Sequence, residues 1–398
     1  MSISAMAASA DSFFAILGDQ QTQRTALAQA ALSSAADLGL RGDYEGATRE
    51  IQRSIGLDTS SENATQAYDL LATVYLQQNR PDDAIRAYKT SISLSPTGEN
   101  AHVKLGNIYF DQKRYAEAES EYTAALRLNP TSSTSIYSLG QVDLATDRYQ
   151  EAASRFEQVT RMEPTKYGSH YALGQVYIKL GRTAEAVAEL QTTLNLKHDF
   201  YQARVDLGSL YADLGEMDNA QQQLGILEAD APDLASLLSG HIDQVTPPEL
   251  LAAYSTNGFL DTAGPGTSLV MLSPAFESPG AAQEFDMAFL FSKEMDASSV
   301  SNPMNWTIQR TQSGALSGAY NWGMPTPATE VPVSPVPVRV RYDADSLTAQ
   351  VFFLLRQNDT GTGTIDPSHL VFKFTGVDVY GIRMASSADE YNSRSLIG

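Results

Sequence analysis

Leu105-Gly106-Asn107-Ile108-Tyr109-Phe110 decides how this chain is read, because its pattern returns every 34 residues. The sets Leu71-Ala72-x-x-Tyr75, Leu139-Gly140-x-x-Asp143, Leu173-Gly174-x-x-Tyr177 and Leu207-Gly208-x-x-Tyr211 keep that spacing without a slip. So does a column of alanines (Ala84, Ala118, Ala152, Ala186 and Ala220), and a bulky column of Tyr88, Tyr122, Phe156, Leu190 and Leu224. Pro96, Pro130, Pro164 and Pro232 close four of the five units, with His198 in the remaining place. Small residues at two fixed positions let two amphipathic helices cross closely, aromatic rings fill the gap, and proline stops the second helix because it has no N–H to donate. A unit of this kind leaves an apolar face that only the next unit can bury, so the units must stack.

This register, over residues 65 to 232, closely resembles the tetratricopeptide repeat. The resemblance implies a right-handed superhelix with a concave groove. Upstream, Gly42-Asp43-Tyr44-Glu45-Gly46-Ala47 echoes Arg114-Tyr115-Ala116-Glu117-Ala118. Placing Ala47 in the alanine column gives a sixth, degenerate unit from about residue 28, three residues longer than the others. Residues 1–27 are expected to be a capping or docking segment, with a short Ala/Ser-rich helix over 3–17 that carries Phe13, Phe14, Ile16 and Leu17. After the array, Asp233–Ser239 and Pro248–Tyr254 read as two short helices within a cap and linker over 233–261.

From Asn257-Gly258 onward the period changes. Seven strand-like runs follow: Ser268–Leu272, Phe285–Phe291, Asn305–Gln309, Val336–Tyr342, Thr348–Leu355, His369–Phe374 and Val377–Met384. Short alternating runs with turn residues between them predict a β-sandwich over 262–398. Phe289-Leu290-Phe291-Ser292-Lys293-Glu294-Met295-Asp296, Asn305-Trp306-Thr307-Ile308 and Phe374-Thr375-Gly376-Val377-Asp378 resemble the immunoglobulin-like modules of bacterial surface-layer proteins. Gln312–Pro335 departs from that pattern and is expected as an extended surface loop. The fold class expected is therefore multidomain α plus β, a tetratricopeptide α-solenoid followed by an immunoglobulin-like β-sandwich.

Composition removes several functions. The net charge of −20, spread along all 398 residues, opposes nucleic-acid and anionic-lipid binding, which depend on Lys and Arg contacts. No cysteine is present, which excludes disulfides, thiolate zinc sites and thiol catalysis. No run of about 18 apolar residues is found, so no membrane span is expected. The first basic residue is Arg24 and Asp11 interrupts the apolar start, so an ordinary secretory leader is not expected either. A cell-surface or extracellular place reached by a non-classical route is favoured over a cytoplasmic one.

No nucleophile–base constellation has catalytic spacing, and neither an enzyme nor a cofactor is expected. His102 and His170 fall on packing positions, while His198, His241 and His369 lack a second ligand at metal spacing. Thr360-Gly361-Thr362-Gly363-Thr364 lacks the lysine and helix of a phosphate loop and reads as a hairpin. Asp343, Asp345, Asp359 and Asp366 read as acidic turns rather than calcium ligands.

In the family resembled, positions 2, 5, 9 and 12 of each first helix line the groove. The candidate site taken from those columns is Thr73, Asn107, Phe110, Tyr137, Gln141, Tyr171, Gln175 and Ser209. These columns carry no cation, so the carboxylate clamp of the chaperone-binding members is not expected. Amides can pair with both groups of an extended backbone, and tyrosines add contact area cheaply in entropy. The function expected is a protein-interaction scaffold binding a protein or peptide in the groove, with the sandwich as a surface or assembly module. The alternative is a structural subunit that polymerises into a homo-oligomeric layer, fibre or filament.

Overall fold

The computed structural model describes residues 3–311 and 319–392. Thirteen helices come first among them. They are α1 (Ile3–Leu40), α2 (Tyr44–Leu57), α3 (Ser61–Gln77), α4 (Pro81–Leu94), α5 (Glu99–Asp111), α6 (Tyr115–Leu128) and α7 (Ser133–Ala145). They continue with α8 (Tyr149–Met162), α9 (Tyr167–Lys179), α10 (Thr183–Leu196), α11 (Tyr201–Asp213), α12 (Met217–Asp230) and α13 (Pro232–Val245). Nine strands follow: β1 (Leu250–Ser255), β2 (Thr267–Ser268), β3 (Ala282–Phe291), β4 (Trp306–Arg310), β5 (Arg339–Asp343), β6 (Thr348–Arg356), β7 (Thr364–Ile365), β8 (Leu370–Phe374) and β9 (Glu390–Asn392). The chain divides into two compact units, Met1–Leu210 and Tyr211–Gly398.

In the first unit the alanine column does what its spacing requires. Ala84, Ala118, Ala152 and Ala186 are fully buried. Opposite them, a Cβ built on Gly106 would lie 2.6 Å from the Tyr122 ring, and one on Gly140 would lie 2.7 Å from Phe156, so these rings occupy the space a side chain would need. Ala152→Leu should therefore overpack the seam and destabilise by roughly 1–3 kcal/mol. A thermal melt unchanged by that substitution would mean Ala152 is not at a helix crossing.

Each turn between paired helices is built alike. The second residue after the first helix adopts left-handed backbone: Asn79 (φ 57°), Lys113 (59°), Asp147 (59°) and Gly181 (68°). The next residue returns an N–H to a carbonyl five residues back, as Arg80 does to Tyr75 and Arg148 to Asp143, both at 2.8 Å. Arg80, Arg114 and Arg182 then lay their guanidinium groups over Tyr75, Tyr109 and Tyr177 at 4.7, 4.4 and 4.2 Å. The third unit has Asp143 where the others have tyrosine. There Arg148 bonds that buried carboxylate at 2.7 Å and Glu119 at 3.0 Å, and Arg155 adds a bond to Asp143 at 2.5 Å.

The degenerate unit obeys the same rules. Gly42 is left-handed (φ 82°), Asp43 N–H bonds Leu38 O at 2.9 Å, and Ala35, Ala47 and Ile51 are fully buried. The 3–17 segment is not a separate short helix: α1 runs without a break for 38 residues. Its extra length comes before the part that pairs with α2.

The second unit joins α12 and α13 to the strands. Its sheets are small: four strands in the order β1-β3-β6-β5, three in the order β4-β8-β9, and the pair β2-β7, with the neighbours antiparallel. One apolar core draws on all three, with Phe289 packed 5.1 Å from Trp306 and 5.4 Å from Phe372. At the end of β3, Lys293 donates to the carbonyl oxygens of Asp243 and Thr246, capping α13, and pairs with buried Asp378.

Several sequence readings are corrected here. Leu250–Ser255 is not helical but the edge strand β1, in register with Met287–Phe291 of β3. Leu269–Leu272 is a helical turn that follows the two-residue strand β2. Val377–Met384 is not a strand, because the Asp378 carboxylate accepts the N–H groups of Tyr380 (2.9 Å) and Ile382 (2.7 Å) and folds it into a turn. Of the expected Val336–Tyr342 strand, the ladder runs from Arg339 onward, with Val338 N–H already bonded to Phe352 O at 2.7 Å and Val338 53% exposed. The expected loop Gln312–Pro335 lies partly outside the described residues. Its described part is not all surface, since Val331 is in the core and buried Asn321 donates its N–H to Asp366 at 2.8 Å. Glu390–Asn392 forms a strand that the sequence reading lacked.

Candidate functional site

The groove column starts with a cavity of about 520 Å³ lined by α3, α4 and α5. Thr73 and Asn107 line it together, with Leu76, Tyr88, Lys104 and Asp111 around them. Lys104 brings a cation to this cavity, although the four groove columns themselves carry none. It sits at position 6 of its unit, a column outside the four that were read, and its ammonium lies 6.0 Å from the Tyr88 ring centroid.

The amides are not free ligands-in-waiting. Asn107 Oδ1 accepts a 2.7 Å bond from the Tyr122 hydroxyl, which engages the amide oxygen and leaves the NH2 as its donor. Burial pushes that hydroxyl up to about 12, so it remains a donor. The Tyr88 hydroxyl lies 3.5 Å from the Thr73 hydroxyl, within hydrogen-bond reach. In the third and fourth units the bulky column holds Phe156 and Leu190, which have no hydroxyl. There the hydroxyl comes from one turn earlier on the same helix: Tyr137 bonds Gln141, and Gln175 Nε2 donates to the Tyr171 hydroxyl at 2.8 Å. In each of these four units, one hydroxyl thus positions the ninth residue, from the second helix in two units and from the first helix in the others.

Gln175 Nε2 also donates to Asp206 Oδ2 at 2.5 Å. Asp206 is the position-6 residue of α11, and burial holds its carboxyl above the usual range despite the hydrogen bonds it accepts. Burial, with Asp206 alongside, raises the Tyr171 hydroxyl as well. The Tyr171 ring meets Phe200 edge to face at 4.7 Å.

Tyr137, Gln141, Tyr171, Gln175 and Ser209 are half-buried, whereas Thr73 and Asn107 are exposed. Phe110 does not join them. Its ring packs against Tyr115 at 5.5 Å, on the seam between α5 and α6. Sequence reasoning missed Lys104 and Asp206, although the 34-residue spacing alone would have placed both in one column.

Among the described residues, no group of three or more His, Asp or Glu side chains is placed to hold a metal. His102 and His170 each bond a glutamate, Glu121 and Glu189, at 2.7 Å. The buried His369 bonds Asp366 at 2.7 Å. No helix among the described residues is long and apolar enough to cross a membrane.

Models of the tetratricopeptide repeat match residues 70–133 and 143–202. The helix pairs within those residues match the tetratricopeptide repeat. No curated protein matches the chain. Among solved structures, PilF of Pseudomonas aeruginosa is 20% identical over 55% of this chain and 99% of its own, with a TM-score of 0.47. MamA of Desulfovibrio magneticus RS-1 is 18% identical over 42% and 94%, at 0.40. YrrB, described as a TPR protein with an unusual peptide-binding site, is 19% identical over 48% and 97%, at 0.41.

Proposed function

We propose that this chain is a non-enzymatic protein-interaction scaffold whose repeat groove holds an extended polypeptide, with the strand-rich unit serving as an immunoglobulin-like surface or assembly module. The observation that carries the reading is the cavity between the first two regular units, open at the surface and lined by Thr73, Tyr88, Lys104 and Asn107. Its walls supply apolar contact, and its fixed amide offers a donor to a backbone carbonyl. Further along, Gln141 and Gln175 continue the ninth column, each held by its own tyrosine. Amides fixed in advance lose less side-chain entropy on binding than free ones would.

The test is a triple substitution, Asn107→Ala, Gln141→Ala and Gln175→Ala, in the full chain. Each lost backbone hydrogen bond should weaken binding of an end-blocked octapeptide library by about 0.5–1.5 kcal/mol. The helical circular dichroism should be preserved, because these side chains lie off the alanine seams. Unchanged peptide affinity with an intact fold would favour the structural-subunit reading instead.

A further inference from the structure

Asp206 stands apart from the other groove carboxylates. The Asp69 carboxylate is engaged by Ser91 at 2.6 Å, and Asp111 shares its cavity with Lys104. Asp206 is half-buried on α11, and the groups acting on its carboxyl are the Tyr171 hydroxyl and the Gln175 and Gln202 amides; no cation is among them. The two cations on the adjoining stretch of chain are turned elsewhere. Lys197 lies 4.8 Å over the Tyr167 ring, and Arg204 Nη2 donates to His198 O at 2.9 Å. A partly desolvated carboxylate without a counter-ion is costly, and a cation arriving with a ligand would relieve that cost.

We infer that the Tyr171–Gln175–Asp206 corner of the groove is a subsite for a cationic side chain of the bound polypeptide, an alkylammonium or guanidinium. The inference rests on the groove reading and specifies its ligand. Three features of the corner match such a group. Asp206 supplies the anion. Gln175, whose Nε2 is engaged by both Tyr171 and Asp206, leaves its Oε1 as a further acceptor. The Tyr171 ring, packed upright against Phe200, gives an aliphatic stem a wall to lie on. Lys197 already shows the fit within the chain: its own ammonium lies over the neighbouring Tyr167 ring and 6.0 Å from Phe200.

The experiment uses the full chain and three short peptides: end-blocked Ala-Ala-Lys-Ala-Ala, the same peptide with norleucine for lysine, and an all-alanine peptide with a free amino end. Affinities are read by competition in fluorescence anisotropy at low salt. The blocked lysine peptide should bind at least tenfold more tightly than the norleucine peptide. Asp206→Asn, nearly the same in shape, should erase that difference. The Asp206 carboxyl, followed by carbon NMR, should titrate at lower pH once the lysine peptide is bound. An advantage of the free-amino peptide that Asp206→Asn also removes would support ammonium recognition, with a chain end as the source. Equal binding of lysine and norleucine peptides would overturn the subsite and leave the groove standing. A lysine advantage that survives Asp206→Asn would do the same. If no peptide binds, the groove reading fails and the inference falls with it.

Discussion

Phe156→Ala should lower the stability of the repeat array by about 3–5 kcal/mol, among the larger losses a single truncation can cause. The ring is fully buried, lies directly on Gly140 and stands 5.3 Å from Tyr137. Glycine has no side chain that could swing into the vacated volume, so the cavity cannot collapse. The fourth unit indicates what would be tolerated. Leu190 covers Gly174 there, with 3.2 Å between the Leu190 side chain and a Cβ built on the glycine. Phe156→Leu should therefore lose far less than Phe156→Ala. Melts followed by helical circular dichroism would measure both, and equal losses for the two variants would show that the ring is not packed as described.

Trp306→Ala should be as damaging in the strand-rich unit, again about 3–5 kcal/mol. The indole is buried between Phe289 at 5.1 Å and Phe374 at 4.7 Å, and its Nε1–H donates to Val300 O at 2.9 Å. Truncation removes the largest side chain of the core and leaves that buried carbonyl without its donor. Trp306 and Trp322 are the chain's 2 tryptophans, so intrinsic fluorescence follows this unit, and the 48%-exposed Trp322 remains as a reporter in the variant. The denaturant midpoint should fall while the slope is kept. A midpoint shift worth less than 1 kcal/mol would be incompatible with a core built around Trp306.

The repeats were legible because three independent columns share one period, and each column has a packing cause. Upstream, the echo at Gly42-Asp43-Tyr44-Glu45-Gly46-Ala47 puts Ala47 in the alanine column, and Ala35, Ala47 and Ile51 are fully buried. The strand-rich unit was less legible. Leu250, Leu251, Ala252 and Ala253 are good helix formers, and only pairing with β3 makes them a strand. The turn at Asp378 depends on a side chain competing with the backbone for N–H groups, which a run of apolar letters does not reveal. In the groove, the columns named residues but not their partners. That Asn107 is held by Tyr122 and Gln175 by Tyr171 depends on which column carries the hydroxyl in each unit.

The arginine at the inter-helix turn of the first four regular units has a bearing on how such an array can change length. In the first, second and fourth regular units its stacking partner, Tyr75, Tyr109 or Tyr177, belongs to the same unit, as does the carboxylate it bonds: Asp83, Glu117 or Glu185. A copy of the first, inserted in frame, brings its whole turn along, whereas Tyr109 of the second has Lys89 of the unit before it at 5.9 Å and Tyr177 of the fourth donates to Glu157 of the third at 3.0 Å. The third unit is different, because Arg148 reaches back to Glu119 of the unit before it. A duplicated or lost module thus carries its arginine turn with it, while the joints made by Glu119 with Arg148 and by Glu157 with Tyr177 are inherited as pairs.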